Sequence, residues 1–228
     1  MYKIQGKIAL EKIIYEWEPE LAEYVYAAID FDYTGHDIYH CIRVKQLAAY
    51  IAKKENFDQE VMIATAYLHD IGRKSEKNGL GDHASIGAVV APDILNKINF
   101  PHKKINMVIK CIQHHEDTVE LISKKRDLPT EVLGFQDADK LDATGAIGIA
   151  RTFAYGGSHG IPIWIPEIPA GEWVRGKLSA SAFNHILERT IKIVDMMNTS
   201  TGRRLAITRH NFVEQFLREF NIEWHEEE

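Results

Sequence analysis

Residues Gly35 to Val44 read Gly-His-Asp-Ile-Tyr-His-Cys-Ile-Arg-Val, and the apolar positions that follow decide the fold. Val44, Leu47, Ala48 and Ile51 recur at i, i+3, i+4 and i+7, the signature of a helix with one buried face. His40 precedes Val44, Leu47 and Ile51 by four, seven and eleven residues, so it shares that face. An imidazole on a core-facing stripe is costly without a partner. The same conflict recurs along the chain. Val61, Ala64, Thr65 and Leu68 form a stripe that runs into Leu68-His69-Asp70-Ile71-Gly72-Arg73, where Gly72 is a natural stop. Ile105, Val108 and Ile112 lead to His115, and Val132, Phe135 and Gln136 lead to Asp139. Four separate helices thus aim a metal-binding group inward.

Working outward, helical periodicity covers most of the chain. Phe183, Leu187, Thr190, Ile191 and Val194 give a further stripe, and Leu205, Phe212, Phe216 and Phe220 another. Pro19, Pro101 and Pro129 sit where helices should start, with Asp58 and Thr130 as candidate N-caps. Pro92 should break or kink the helix expected over residues 82–97. No run alternates as a half-buried strand does, so the expected fold is all-α, a single domain over residues 1–228. The exception is Tyr155 to Lys177, with five Gly and three Pro around Ile161, Ile163, Trp164, Ile165 and Trp173. It reads either as a lid or binding loop, or as a segment packed on the body or against a second subunit through Trp164.

The bulk numbers exclude several classes. The 228 residues are 45% apolar and 26% charged, enough for one substantial core. A net charge of −6 argues against a nucleic-acid surface, which carries a basic excess. Glu226 to Glu228 read as a solvated tail, and Lys124-Lys125-Arg126 as a solvated surface run. Two cysteines, Cys41 and Cys111, do not make a disulfide framework and fit a reducing compartment. No apolar run approaches the roughly 20 residues that span a bilayer. The N-terminus lacks signal-peptide features, so a cytoplasmic location is expected.

The pattern His40…His69-Asp70…Asp139 resembles the signature of the HD superfamily of metal-dependent phosphohydrolases. The likeness extends to Arg43-Val44, His83 followed by Gly87, the stretch from Asp137 to Arg151, and Met197-Asn198-Thr199 with Arg209. It looks nearest to small bacterial stand-alone members similar to nucleotide diphosphatases. The resemblance implies an all-helical fold and a divalent ion, Mn, Mg, Fe or Zn, held by His40, His69, Asp70 and Asp139. His83, His114 and His115 match extra histidines of multinuclear members that cleave cyclic dinucleotides. The glycine-tyrosine-proline element of that branch is missing, because His115 is followed by Glu116-Asp117-Thr118. That acidic pair also resembles one in alarmone hydrolases, but there it follows the central His-Asp, and here the match is taken as coincidence. One tightly held metal is therefore expected, with His83, His114 and His36 lining the pocket toward phosphate or a weaker second ion.

Such a site activates water and polarises a phosphoryl oxygen. Arg43, Arg73, His83, Lys140 and Arg151 are the candidate substrate-binding groups, with an ion pair to Asp37 or Asp70 as the bland reading for Arg43. Asp70 is counted as catalytic as well as ligating. Asp142 lies three residues past Asp139 and would orient the water, fix a ligand histidine, or merely pair with a cation. His114 or His115 would protonate a leaving group. The expected partner is a small phosphorylated substrate, a nucleotide before others, with homo-oligomerisation left open. The competing classes are a nucleotide-binding regulatory module without turnover and a scaffold whose histidines are merely packed.

Overall fold

The computed structural model describes residues 14–29, 34–116 and 127–225. The acidic tail at 226–228, the basic run at 124–126, Asp117-Thr118 and the first 13 residues lie outside them. The described residues are mostly helical, with no strand among them. In chain order the helices are α1 (Glu18–Ala28), α2 (Ile38–Glu55), α3 (Gln59–Leu68), α4 (Arg73–Lys77), α5 (His83–Lys97), α6 (His102–Gln113), α7 (Thr130–Asp142), α8 (Gly145–Ser158), α9 (Ala182–His185) and α10 (Ser200–His225). Beyond α9 the chain stays helical through a π turn (Ile186–Thr190) and a 3-10 segment (Ile191–Met196). Among the described residues no helix is long and apolar enough to cross a membrane.

The centre of the molecule is α3. Its stripe is wider than periodicity suggested: all residues from Val61 to Leu68 are buried, and α1, α2, α6 and α7 pack around it. A helix apolar on every side belongs in the interior. Tyr67, Ile63 and Met62 are fully buried and contribute about 1.5–3 kcal/mol each. Asp58 caps α3, its carboxylate accepting from the Glu60 and Val61 amides. Against this frame α2 buries Val44, Ala48 and Ile51, α6 buries Val108 and Ile112, and α7 buries Val132, Phe135 and Ala138.

Some local expectations differ from the structure. Helix α5 continues through Pro92, so of the expected break or kink the break does not occur, and Ala88, Ala91 and Leu95 lie on its buried face. Thr130 is the first residue of α7 rather than its cap, and its hydroxyl donates to Glu131. In α10 the buried positions are Thr201, Gly202, Ala206 and Val213, while Phe212, one residue and about 100° from Val213, is exposed. The irregular loop spans residues 159–181, because Tyr155 to Ser158 still belong to α8.

That loop is both anchored and site-facing. Trp164 packs at a tilt against Phe183 and contacts Phe220 and Trp224 of α10 edge-on. Ala182 and Phe183 amides donate to the Pro162 and Ile163 carbonyls. Its later limb, carrying Trp173 and Arg175, lies over the cavity described next. Both cysteines are buried and free.

Candidate metal centre

His69 is the residue on which α3 ends, and the chain then turns tightly, with Ile71 N donating to Leu68 O and Arg73 N to Asp70 O. Leaving the helix lets two sequence neighbours, which would diverge by about 100° within it, address one point. Gly72 makes the next approach feasible: a Cβ there would sit 2.2 Å from the His83 carbonyl oxygen, so only glycine lets the start of α5 come this close to the turn.

The donor atoms converge in two groups. His40 Nε2 lies 3.1 Å from His69 Nε2 and 3.4 Å from Asp139 Oδ1, and His69 Nε2 is 3.7 Å from that same oxygen. His83 Nε2 lies 3.2 Å from His115 Nε2. Asp70 stands between the groups. Its Oδ2 is 3.8 and 3.7 Å from the Nε2 atoms of His40 and His69, and its Oδ1 is 3.6 and 4.0 Å from those of His83 and His115. Ligands at right angles about 2.1 Å from one ion are about 3 Å apart, so these separations are of coordination size.

Whether a cation fits is answered by the hydrogen bonds behind the cluster. Each histidine commits its Nδ1–H to an acceptor: His40 to Asp142 (2.7 Å), His69 to the Ala66 carbonyl (3.1 Å), His83 to Glu76 (2.9 Å) and His115 to the Ile112 carbonyl (2.7 Å). In the neutral ring the Nε2 lone pairs must then face one another. Asp70 Oδ2 is buried with no hydrogen-bond donor. Four lone pairs and an orphaned carboxylate oxygen in a buried spot require positive charge, and a divalent cation supplies it.

The protonation energetics agree. Burial holds the His69 imidazole down at about 4, so it is a neutral donor. Burial also acts on His40, yet hydrogen bonds to Asp139 and Asp142 outweigh it and raise that ring to about 9. The elevation measures how strongly the carboxylates demand a positive charge at that point. Asp70 and Asp139 are held well below the usual carboxylate range by the surrounding imidazoles, with Arg73 adding to the effect on Asp70, although burial opposes it.

Comparison with known proteins follows from this arrangement. Residues 37–144 match the HD domain. YpgQ of Bacillus subtilis is 32% identical over 200 residues, covering 88% of this chain and 90% of its own. The chain belongs to the HD superfamily. Among solved structures, a Lactobacillus plantarum protein has a TM-score of 0.71 at 30% identity, covering 94% of this chain and 100% of that one. An HD-superfamily hydrolase from Bacillus thuringiensis has a TM-score of 0.70 at 31% identity, covering 92% and 97%. YpgQ in complex with ADP has a TM-score of 0.68 at 30% identity, covering 91% and 95%. This HD domain therefore has the fold of a hydrolase superfamily and a His/Asp cluster that could hold a divalent metal, of unresolved identity.

The remaining sequence candidates of the HD domain fall in distinct places. Asp142 is buried behind His40, where His40 Nδ1, Arg43 Nε and Nη2 (2.7 and 2.9 Å) and Arg151 Nη1 (2.7 Å) all donate to it. Both of its oxygens are engaged by these donors. Arg43 clamps Asp142, not Asp37 or Asp70 as the bland reading had it, and is absent from the cavity wall. Arg73, Lys140 and Arg151 do line the cavity over the cluster. Arg73 also donates to Asp70 at 2.9 Å. His115 faces inward, whereas the adjacent His114 is half-buried and contributes its backbone carbonyl to Gln136. His36 lines the same cavity, its ring pushed down to about 3 by burial.

Several residues escaped sequence reading. Glu76 orients His83. Glu116, set aside in the sequence as coincidence, pairs with Arg73 at 3.5 Å and with Arg175 of the loop. Arg175, Trp173 and Arg189 complete the cavity wall. The loop's composition marked the segment and Trp173 within it, but nothing marked Arg175 or Arg189.

Proposed function

We propose that this chain hydrolyses a phosphate ester or anhydride of a soluble nucleotide, using water activated at the His/Asp cluster. The single observation carrying the reading is the convergence of four Nε2 lone pairs on Asp70, two facing its orphaned Oδ2 and two its Oδ1. His40, His69, Asp70 and Asp139 would hold one divalent ion. The second Nε2 pair favours adding a further position at His83 and His115, with Asp70 shared, to the one ion expected from sequence. When bound, such an ion lowers the pKa of its water and polarises a phosphoryl oxygen.

The chain's own groups supply the rest. Arg73, Lys140 and Arg151 from the body and Arg175 from the loop face the cavity, where charge spreading over the phosphoryl oxygens needs balancing. Arg175 pairs with Glu116 and becomes available to substrate by exchanging that carboxylate for phosphate. Asp142, Glu76 and the Ala66 and Ile112 carbonyls keep the histidine rings in the donor tautomer. His115 lies among the ion-holding atoms, so it is not the group that protonates the leaving oxygen; a pyrophosphate leaving group needs no strong acid. The ADP complex of YpgQ supports a nucleotide as the ligand class.

The test is turnover of a nucleotide panel by Mn²⁺-loaded protein, scored for phosphate and pyrophosphate. His69→Ala and Asp139→Ala should each abolish product while circular dichroism retains the helical signal. Activity that survives either change refutes the site. Nucleotide binding with no product over hours would replace the hydrolase reading with that of a regulatory module.

A further inference from the structure

Beside the metal cluster lies a second, larger cavity of about 340 Å³, against about 180 Å³ for the one over the cluster. The larger volume falls in the range of roughly 300–1,000 Å³ occupied by small-molecule sites. The two cavities share a wall of His36, Ala143, Arg151, Trp173, Arg189 and Ile193. At their junction the Arg189 guanidinium lies over the Trp173 ring, 4.5 Å from its centroid.

Their chemistry is divided. Arg73, Lys140 and Arg175 face only the smaller cavity. The larger is walled by groups such as Tyr155, Ile161, Leu178 and Ala182, with Lys177 as a cation of its own beside the shared Arg151 and Arg189. A ligand lying across both would place its anionic end among the cations, beside the metal cluster, and its apolar ring system in the larger space.

The larger cavity also has a defined polar end. Ser179 Oγ donates to Glu188 Oε2 at 2.6 Å and lies 3.3 Å from His185 Nδ1. A serine hydroxyl has one hydrogen, and here it is committed to the carboxylate. The contact with His185 must therefore be Nδ1–H donating to Ser179, which leaves Nε2 as the acceptor nitrogen of a ring that lines the cavity. Glu188 fixes this relay from behind, its other oxygen accepting from the Gly171 amide at 2.9 Å. Burial keeps the His185 imidazole below its ordinary value, so the ring stays neutral at pH 7. The chain departs from α geometry at this place, the π turn beginning directly after His185 and carrying Glu188 and Arg189. Such turns are enriched at functional sites.

We propose that the larger cavity is the nucleoside subsite, and that His185 determines specificity by accepting, through Nε2, a hydrogen bond from an amino or hydroxyl group of the nucleoside. A carbonyl oxygen in that position would meet a lone pair and be disfavoured. The proposal rests on the nucleotide phosphohydrolase reading above.

The experiment compares kcat/KM for ATP, purine riboside triphosphate, which lacks the 6-amino group, and the 2′- and 3′-deoxy forms of ATP, with tripolyphosphate reporting the phosphate site alone. The wild type should lose at least about tenfold on deletion of one of these donors. His185→Phe keeps a ring of similar size without the acceptor, and its discrimination at that position should fall to within about twofold. His185→Gln restores an acceptor and should recover part of it. Undiminished discrimination in His185→Phe, or a wild type indifferent to every deletion, overturns the assignment. If the wild type hydrolyses neither nucleotides nor tripolyphosphate, the hydrolase reading fails instead. The same comparison made on Kd values for the four nucleotides then decides the subsite.

Discussion

Replacing Asp142 by asparagine isolates the link between the buried network and the metal centre. The change is nearly isosteric, but it removes the charge that His40, Arg43 and Arg151 all address at 2.7–2.9 Å. The amide offers one acceptor oxygen, and its NH2 must face at least one of these donors. Two consequences follow. A charge partner is lost from a buried cluster, which costs about 3–5 kcal/mol of stability. The His40 tautomer is no longer enforced, and loss of a group behind a metal ligand lowers metal affinity about 10–100-fold. The pH dependence has a definite sign. Burial alone would raise the Asp142 carboxyl, but His40 and Arg43 hold it below its unfolded value. Its contribution is therefore complete above the unfolded pKa of about 4 and is lost as pH falls below it. Chemical denaturation of both proteins should show a gap at pH 7 that narrows below about pH 4, and calorimetric titration with Mn²⁺ at pH 7 should show the weaker binding. Equal metal affinity in the two proteins would refute the claim that Asp142 positions His40.

Chelator treatment should lower Tm by about 5–10 °C relative to protein saturated at 100 times Kd, corresponding to about 2.7 kcal/mol, and differential scanning fluorimetry reads it directly. Far from the site, Lys45 pairs with the fully buried Glu18 on α1, so Lys45→Met should cost about 3–5 kcal/mol in a urea melt while leaving metal affinity intact. A Cβ at Gly202 would sit 2.3 Å from Asp137 Oδ2, the carboxylate that holds the Asn198 and Thr199 amides at the start of α10. Gly202→Ala should therefore destabilise by about 1–3 kcal/mol, measured the same way.

The helices were legible because most bury one face, and a 3.6-residue period records that burial directly. The centre of the fold was less legible: α3 is buried on all sides, and periodicity showed only half of its buried positions. Phe212 shows the related limit, since a stripe drawn one residue off still contains aromatic residues yet points to solvent. Inward-facing His40, His69, His115 and Asp139 could be read from their own stripes. Their partners could not, because Asp142 meets His40 across 102 positions and Arg43 across 99. Spacing along one helix says which way a side chain faces, not what approaches it from another. The π turn after His185 carries Glu188, whose bond from the Gly171 amide spans 17 positions and has no local signature.

The most direct measurement is the anomalous-scattering difference map of a crystal grown with Mn²⁺. It should show a peak about 2.0–2.4 Å from Nε2 of both His40 and His69 and from oxygens of Asp70 and Asp139. A map with no peak among those atoms, or with the ion bound at Nδ1 nitrogens, would contradict the convergence on which the site and its chemistry are built.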